Sequence, residues 1–228
     1  IGNMFYQQGD YSTAIGYHTK GIELYNKKIA IDPEYIKTHK SEVYQIYMSR
    51  GDAWEMLEKY QEANQNYQRA VAIDGTVNDA WLEIGELQTM QHNWREATKA
   101  YEQAFQIDPN EKEGWVNLGF CYSNLKEERK AVDAYTRGIV NNPEVGLLYN
   151  NRGFTYLELK DYPKSQADLE MAIQVDPTEV MSHVSLGEYY LEVGNKEQAI
   201  SKLSEALNME GGSRSSYVAG YYKRGLAY

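Results

Sequence analysis

Cysteine and histidine are scarce in this sequence, and their scarcity excludes several kinds of site. The chain has 228 residues, with one cysteine and four histidines. Cys121 cannot form an intrachain disulfide, so it is interpreted as a small core residue, compatible with a reducing compartment such as the cytoplasm. The histidines are scattered and form no HExxH or other close ligand spacing, so no metal site is predicted.

Long apolar runs, basic clusters and nucleotide motifs are also missing. No apolar run approaches the roughly 18 to 20 residues that cross a bilayer, so no membrane insertion is expected. The chain has 23 basic against 33 acidic residues, a formal charge of −10, which disfavours nucleic acid because phosphate contacts need clustered Lys and Arg. Neither GxxxxGK[ST] nor GxSxG occurs, so we expect no cofactor and no catalytic residue.

What the sequence does contain is a pattern of aromatic and small side chains. Between residues 78 and 111 these side chains recur three or four positions apart, the spacing of one helix face, so two amphipathic helices are predicted. The pattern is carried by Trp81, Ile84, Gly85, Trp94, Ala97, Tyr101 and Ala104. Asn93 is expected to cap the second helix by accepting a hydrogen bond from a backbone N–H. Pro109 is expected to end the pair, since the residue before a proline disfavours helix.

Sliding the sequence by 34 residues recovers the pattern, which is the test for a repeat array. The units with the pattern are 44–77, 78–111, 112–145, 146–179 and 180–213, and a further unit starts over 218–228. In the unit 112–145 the recurring slots hold an aromatic residue, a glycine, a tyrosine, an alanine and a second aromatic, which are Trp115, Gly119, Tyr122, Ala131 and Tyr135. These residues closely resemble the tetratricopeptide repeat. The resemblance implies an all-α fold, a right-handed superhelical solenoid of helix-turn-helix repeats forming one domain over residues 1–228.

The repeat period is interrupted near the start of the chain. Compared with the regular unit, seven residues are added before Pro33 and eight after it, about two helical turns each. We expect residues 1–43 to hold a partial first repeat and an overlong hairpin, with one helix ending near Ile31 and the next starting near Glu34. A longer loop is the alternative, but the inserted segment lacks glycine and is rich in helix formers.

The resemblance also implies a concave groove lined by the first helix of each repeat. The predicted partner-binding residues are Asp52, Glu55, Glu86, Asn117, Phe120, Asn124, Asn150, Asn151, Phe154, Leu157, Tyr222 and Lys223. The acidic residues of the first half would suit a basic segment. Asn117 and Asn151 lie one repeat apart and can hold a peptide backbone, with Phe120 and Phe154 supplying apolar contact. The alternative is that the two asparagines cap or bridge neighbouring helices.

The sequence therefore predicts a non-catalytic scaffold or adaptor that binds a peptide or a segment of a protein partner. The alternative is a regulatory or targeting region of a larger enzyme, because both ends of the sequence fall inside repeats. Capture of a chaperone's C-terminal carboxylate is disfavoured, since places where that subfamily carries basic residues hold apolar ones here, including Leu82 and Leu147.

Overall fold

The computed structural model describes residues 1–111, 113–209 and 212–227, without the side chains of residues 214 and 215. Within these ranges the chain forms fourteen helices and no strand. The helices are α1 (Gly2–Gln7), α2 (Tyr11–Ile31), α3 (Tyr35–Thr38), α4 (Lys40–Glu55), α5 (Tyr60–Ile73), α6 (Asp79–Met90), α7 (Trp94–Ile107), α8 (Trp115–Asn124), α9 (Glu128–Asn141), α10 (Gly146–Glu158), α11 (Tyr162–Val175), α12 (Val180–Glu192), α13 (Lys196–Asn208) and α14 (Arg214–Ala227). None of these helices is long and apolar enough to span a bilayer, over the ranges described.

The chain divides into two compact units, unit 1 over Ile1–Glu111 and unit 2 over Lys112–Tyr228. In unit 1, α4 packs on α5 and α6 packs on α7, and α5 also contacts α6. In unit 2 the pairs are α8 with α9, α10 with α11 and α12 with α13, while α8, α10, α12 and α14 contact one another in sequence. Each unit is thus a stack of helical hairpins, and the expected all-α helical-repeat fold is confirmed.

Small residues let the paired helices approach closely. In α7 the buried side chains recur at Ala97, Tyr101 and Ala104, one stripe facing the neighbouring helices. A Cβ atom added at Gly85 would lie 2.8 Å from Cε1 of Tyr101, nearer than a carbon atom tolerates. The ring of Tyr101 therefore occupies the space that a side chain at position 85 would need.

The turn inside each hairpin contains one residue in the left-handed conformation. Glu58, His92, Lys126 and Lys160 have φ of 58° to 60°, and Gly194 has φ of 80°. These positions follow one another at the repeat interval, so the same turn is built five times with four different residue types. An L side chain is strained in this conformation and glycine is not, so of these five residues Gly194 meets the turn without strain. Gly9, with φ of 79°, does the same between α1 and α2.

Two helix starts differ in how the side chain before the helix is used. Asp10 accepts a hydrogen bond from Thr13 N at 3.1 Å and caps α2, as its place before the helix predicts. Asn93 occupies the N-cap position of α7, but its side chain makes no capping hydrogen bond. Its Nδ2 instead donates to Gln88 Oε1 at 2.9 Å. The capping hydrogen bond predicted for Asn93 is therefore wrong, because the amide is held by a side chain of the preceding helix.

The residues added near Pro33 lie mainly in helices. Helix α2 has 21 residues, against 14 in each of α5, α7 and α9. The second arm is not continuous, because the helix breaks at His39, where φ is −122° and ψ is 22°. Thr38 Oγ1 donates to the carbonyl of Tyr35 at 3.1 Å, and His39 Nδ1 lies 3.0 Å from the same oxygen. Side chains that compete for a helical carbonyl interrupt the backbone ladder, which accounts for the break.

A buried ion pair joins α10 to α11 in unit 2. Arg152 donates from Nε and Nη2 to the two carboxylate oxygens of Asp168, both at 2.7 Å, and from Nη1 to Thr136 Oγ1 at 3.0 Å. The side chains of Arg152 and Asp168 are 16% and 11% exposed. The two-pronged geometry fixes both helices and leaves each charge with its partner.

Unit 1 contains an equivalent arginine contact in which the acceptor is a neutral amide. Arg50, in the repeat slot of Arg152, donates from Nε to Asn66 Oδ1 at 2.7 Å and from Nη1 to Thr19 Oγ1 at 3.2 Å. Asn66 Nδ2 in turn donates to the carbonyl of Glu62 at 2.7 Å. The same arginine position therefore works with either an amide or a carboxylate as its acceptor.

Candidate functional site

A pocket of about 550 Å³ lies along one face of unit 2. Its walls come from α8, α10 and α12, the first helices of successive hairpins, and from α14, with Tyr135 from α9 and Lys126 from the turn between α8 and α9. The lining residues are Phe120, Ser123, Asn124, Lys126, Tyr135, Asn150, Asn151, Phe154, Thr155, Glu158, Met181, Val184, Ser185, Glu188, Ala219 and Lys223. The volume is in the range of pockets that hold small ligands or several residues of a peptide. We call this feature the unit 2 groove.

Apolar side chains from three helices line the unit 2 groove. Phe120 on α8 and Phe154 on α10 occupy the slot directly after the repeat glycine, and Phe120 is 45% exposed. Met181 and Val184 line it from α12. An exposed phenylalanine inside a concave pocket is costly in water, so these walls favour an apolar occupant.

Asparagine amides form the polar part of the groove. Asn150 is 3% exposed, and its Nδ2 donates to Asn151 Oδ1 at 3.1 Å. Asn150 Oδ1 is covered and has no hydrogen-bond partner among the described residues. Asn124 lies at the exposed end of α8, and its Nδ2 donates to the carbonyl of Phe120 at 2.9 Å. A buried amide oxygen without a donor is unusual, and it marks Asn150 as a place where a bound group can pair.

The charges of the groove balance. Lys126 and Lys223 carry positive charge, and Glu158 and Glu188 carry negative charge. Lys223 Nζ on α14 lies 2.5 Å from Glu188 Oε2 on α12, with about a quarter of each side chain exposed. The groove therefore carries no net charge, and one of its two cations is already paired.

A tyrosine hydroxyl reaches the groove wall from beneath. Tyr135 on α9 is buried, and its ring fills the space beside Gly119. Burial raises the pKa of the Tyr135 hydroxyl, while hydrogen bonds with the side chains of Ser123 and Asn151 oppose that shift. Asn151 is thus bonded to a residue of the preceding hairpin, as the bridging interpretation of this asparagine predicts.

Leucines replace this polar contact in the next hairpin. Leu169 on α11 stands in the repeat slot of Tyr135, and Leu157 on α10 stands in that of Ser123. Leu157 is buried in a cluster with Leu169, Leu186 and Tyr189. The position predicted for Leu157 in the groove is corrected accordingly, because its side chain turns inward against the leucine that replaces the tyrosine.

The equivalent positions in unit 1 form an acidic surface built on the same tyrosine slot. Tyr67 OH lies 3.1 Å from Asp52 Oδ1 and 2.9 Å from Glu55 Oε2, so two carboxylates compete for one hydroxyl proton. Burial raises the pKa of Asp52 to about 6, and the charge of Glu55 acts in the same direction. Glu86 on α6 is exposed. Asp52 and Glu55 are therefore bonded within unit 1 itself.

The structure brings half of the predicted site residues together. Six line the unit 2 groove, namely Phe120, Asn124, Asn150, Asn151, Phe154 and Lys223. Asn117 is partly buried and Tyr222 is 67% exposed, and neither lines the groove. Asp52, Glu55 and Glu86 belong to unit 1. The asparagines that line the groove are thus Asn124, Asn150 and Asn151, whereas the sequence analysis paired Asn117 with Asn151.

The α12 wall of the groove is missing from the sequence prediction. Val184 and Glu188 stand in the repeat slots of Asn150 and Phe154, 34 residues further on, and Met181 stands in the slot of Leu147. Applying the offsets to that unit would have found them. Tyr135 carried no such signal, because it lies on a second helix and reaches the groove only through its hydroxyl.

The architecture is that of known helical-repeat proteins. The family model for the tetratricopeptide repeat matches residues 113–144 and 147–179. The crystal structure of MamA is 22% identical with a TM-score of 0.68, over 73% of this chain and 91% of MamA. A tetratricopeptide repeat protein from Parabacteroides merdae is 15% identical with a TM-score of 0.76, over 100% of this chain and 84% of that one.

A further similar structure is that of YrrB, described as a tetratricopeptide repeat protein with an unusual peptide-binding site. It is 15% identical with a TM-score of 0.68, over 90% of this chain and 99% of YrrB. At these identities the likeness shows the fold. No curated protein sequence matches the chain.

The chain is built of hairpins that repeat the same close helix contact at a glycine, and a groove runs along their first helices. These features place it in the class of all-α helical-repeat proteins. Within that class, residues 113–144 and 147–179 match the tetratricopeptide repeat, and the similar structures share the fold of the chain.

Proposed function

We propose that this chain is a non-catalytic scaffold that binds a peptide segment of another protein in the unit 2 groove. The observation that carries the proposal is the exposed Phe120 beside Phe154 in a pocket of about 550 Å³. Four successive first helices supply the lining, so a segment lying across them contacts several repeats at once. Tetratricopeptide repeats serve as protein-interaction scaffolds, and the peptide-binding site named for YrrB agrees with this use of the fold.

The acidic surface of unit 1 is part of the same proposal, as a contact for basic residues of the partner. Glu86 is exposed there, whereas Asp52 and Glu55 share the hydroxyl of Tyr67. A basic segment would compete with that hydroxyl for the two carboxylates. We therefore assign unit 1 a weaker role than the groove of unit 2.

Affinity capture with matched variants tests the proposal. Wild-type protein, the double variant Phe120→Ala with Phe154→Ala, and Val140→Ala are each immobilised and exposed to extract from the source cells. Val140 is the control, because it is 76% exposed on α9 and lies outside the groove. We expect wild type and Val140→Ala to retain the same proteins and the double variant to lose them. Retention of every partner by the double variant would reject the groove as the binding site.

A further inference from the structure

We infer that the unit 2 groove selects an extended segment with an uncharged, apolar anchor side chain, and that Asn150 bonds to the backbone of that segment. The inference rests on the proposed function and specifies its ligand. It excludes two other occupants of such a groove, an amphipathic helix and a segment held by its charges.

The Asn150 amide favours an extended segment over a helix. Its Nδ2 is bonded to Asn151, and its buried Oδ1 lacks a donor among the described residues. A helix interior has no backbone N–H to offer, because each one is bonded within the helix. An extended peptide has a free N–H at every other residue on each side. Rotation of the covered amide toward the groove lets Asn150 accept such a donor and removes the cost of the unpaired oxygen.

The charge balance favours an uncharged anchor. Phe120, Phe154 and Met181 supply apolar contact from three helices. The nearest cation on the α14 side, Lys223, is occupied by Glu188 at 2.5 Å. A charged side chain placed between the phenylalanines would lose its water, which is unfavourable, whereas an apolar one gains by the same burial. The groove charges outside the Lys223–Glu188 pair, Lys126 and Glu158, are of opposite sign and so favour neither charge in a ligand.

Selection from a random nonapeptide library displayed on phage, followed by binding assays with the selected peptides, tests the inference. The selected peptides are synthesised with a fluorescent label and titrated with the protein. We expect a large apolar residue at one shared position and no excess of either charge. The Kd is expected to change less than about twofold between about 50 mM and about 500 mM NaCl, because screened charges contribute little. Phe154→Ala is expected to weaken binding about tenfold or more, as loss of a buried aromatic contact does, and Val140→Ala is expected to leave it unchanged.

A double-mutant cycle that combines peptide N-methylation with Asn150→Leu isolates the Asn150 contact. Each peptide N–H is methylated in turn, and the variants are titrated with wild type and with Asn150→Leu. We expect one methylated position to weaken binding about fivefold to tenfold in wild type, the range for one hydrogen bond, and to have no further effect in Asn150→Leu. Circular dichroism is used to check that Asn150→Leu is folded, and Leu is close to Asn in size.

The outcomes separate the inference from the proposed function. Charged consensus peptides with steep salt dependence overturn the inference and leave the groove as a binding site. Peptides with apolar residues three and four apart, insensitive to any single N-methyl group, also overturn it in favour of a helical ligand. Enrichment of no peptide, or undiminished binding to the double variant Phe120→Ala with Phe154→Ala, refutes both.

Discussion

The buried pair of Arg152 and Asp168 allows a quantitative prediction, because neighbouring repeats contain the control. The slots of Arg152 and Asp168 hold Leu118 and Ala134 one repeat earlier. Arg152→Leu alone leaves a carboxylate, 11% exposed, without its two hydrogen bonds of 2.7 Å. Removing one partner of a buried pair costs about 3 to 5 kcal/mol, since the remaining charge stays desolvated.

The other variants follow from the same contacts. Asp168→Ala should cost about 2 to 4 kcal/mol, because the guanidinium keeps only its bond to Thr136 at 3.0 Å. The double variant, with the leucine and alanine of the preceding repeat, should lie within about 1 kcal/mol of wild type, because replacing both partners of a buried pair by apolar residues is often neutral. Asp168→Asn should cost about 1 kcal/mol, since Asn66 already serves Arg50 at 2.7 Å.

Unfolding in guanidinium chloride, followed by circular dichroism at 222 nm, measures these free energies. Amide hydrogen exchange in α10 and α11 shows which part of the chain is destabilised. The exchange measurement is needed because repeat arrays open in segments. A double variant destabilised by the sum of the two single costs would refute the reasoning. Such additivity would mean that each residue stabilises the hairpin through contacts other than the pair.

Three further predictions concern stability. Burial raises the pKa of Asp52 to about 6, so the folded state binds its proton more tightly, and stability falls as pH rises from about 4 to about 6. Asp52→Asn should flatten this slope in unfolding titrations and add about 1 to 2 kcal/mol at pH 7, after allowance for partial exposure; an unchanged slope would contradict it. Lys160→Gly, at φ of 60°, should raise the unfolding free energy by up to about 1 kcal/mol, and Gly194→Ala, at φ of 80°, should lower it by about as much; two changes of the same sign would refute the turn assignment. Gly85→Ala should cost about 1 to 3 kcal/mol because the added carbon lies 2.8 Å from the facing ring, whereas Gly16→Ala, with nothing within 4 Å, should add about 1 kcal/mol; equal effects in thermal melts would contradict the packing role.

Period and composition were enough to predict the fold, because each hairpin repeats the same packing contacts. The spacing of Gly85 and Tyr101 encodes a close helix contact that recurs down the chain. Local departures were harder to predict. The break at His39 depends on side chains that compete for one carbonyl, and the missing cap of Asn93 depends on Gln88, so neither follows from a periodic pattern.

The candidate groove was predictable only where the position in the repeat decides the direction of the side chain. Phe120 and Phe154 follow the repeat glycine and line the groove, as the offset predicts. Leu157 stands in the same repeat slot as Ser123, which lines the groove, yet Leu157 is buried. The residue beneath Ser123 is Tyr135, whereas the residue beneath Leu157 is Leu169. The direction of the side chain in that slot depends on a residue of another helix, so the position within one helix is not enough to predict it.

The matched slots beneath the groove also constrain how this protein can change over generations. A tyrosine at position 169 would place its hydroxyl against Leu157, and a leucine at position 135 would leave Ser123 without its bond. The first change would carry a buried hydroxyl without a partner, which costs about 1 to 3 kcal/mol, and the second would remove a hydrogen-bond partner from the partly buried Ser123. Changing one pair into the other by single substitutions therefore passes through a less stable protein. Duplication or exchange of a whole hairpin changes both positions at once, so evolution of this chain should proceed by hairpins more readily than by single residues.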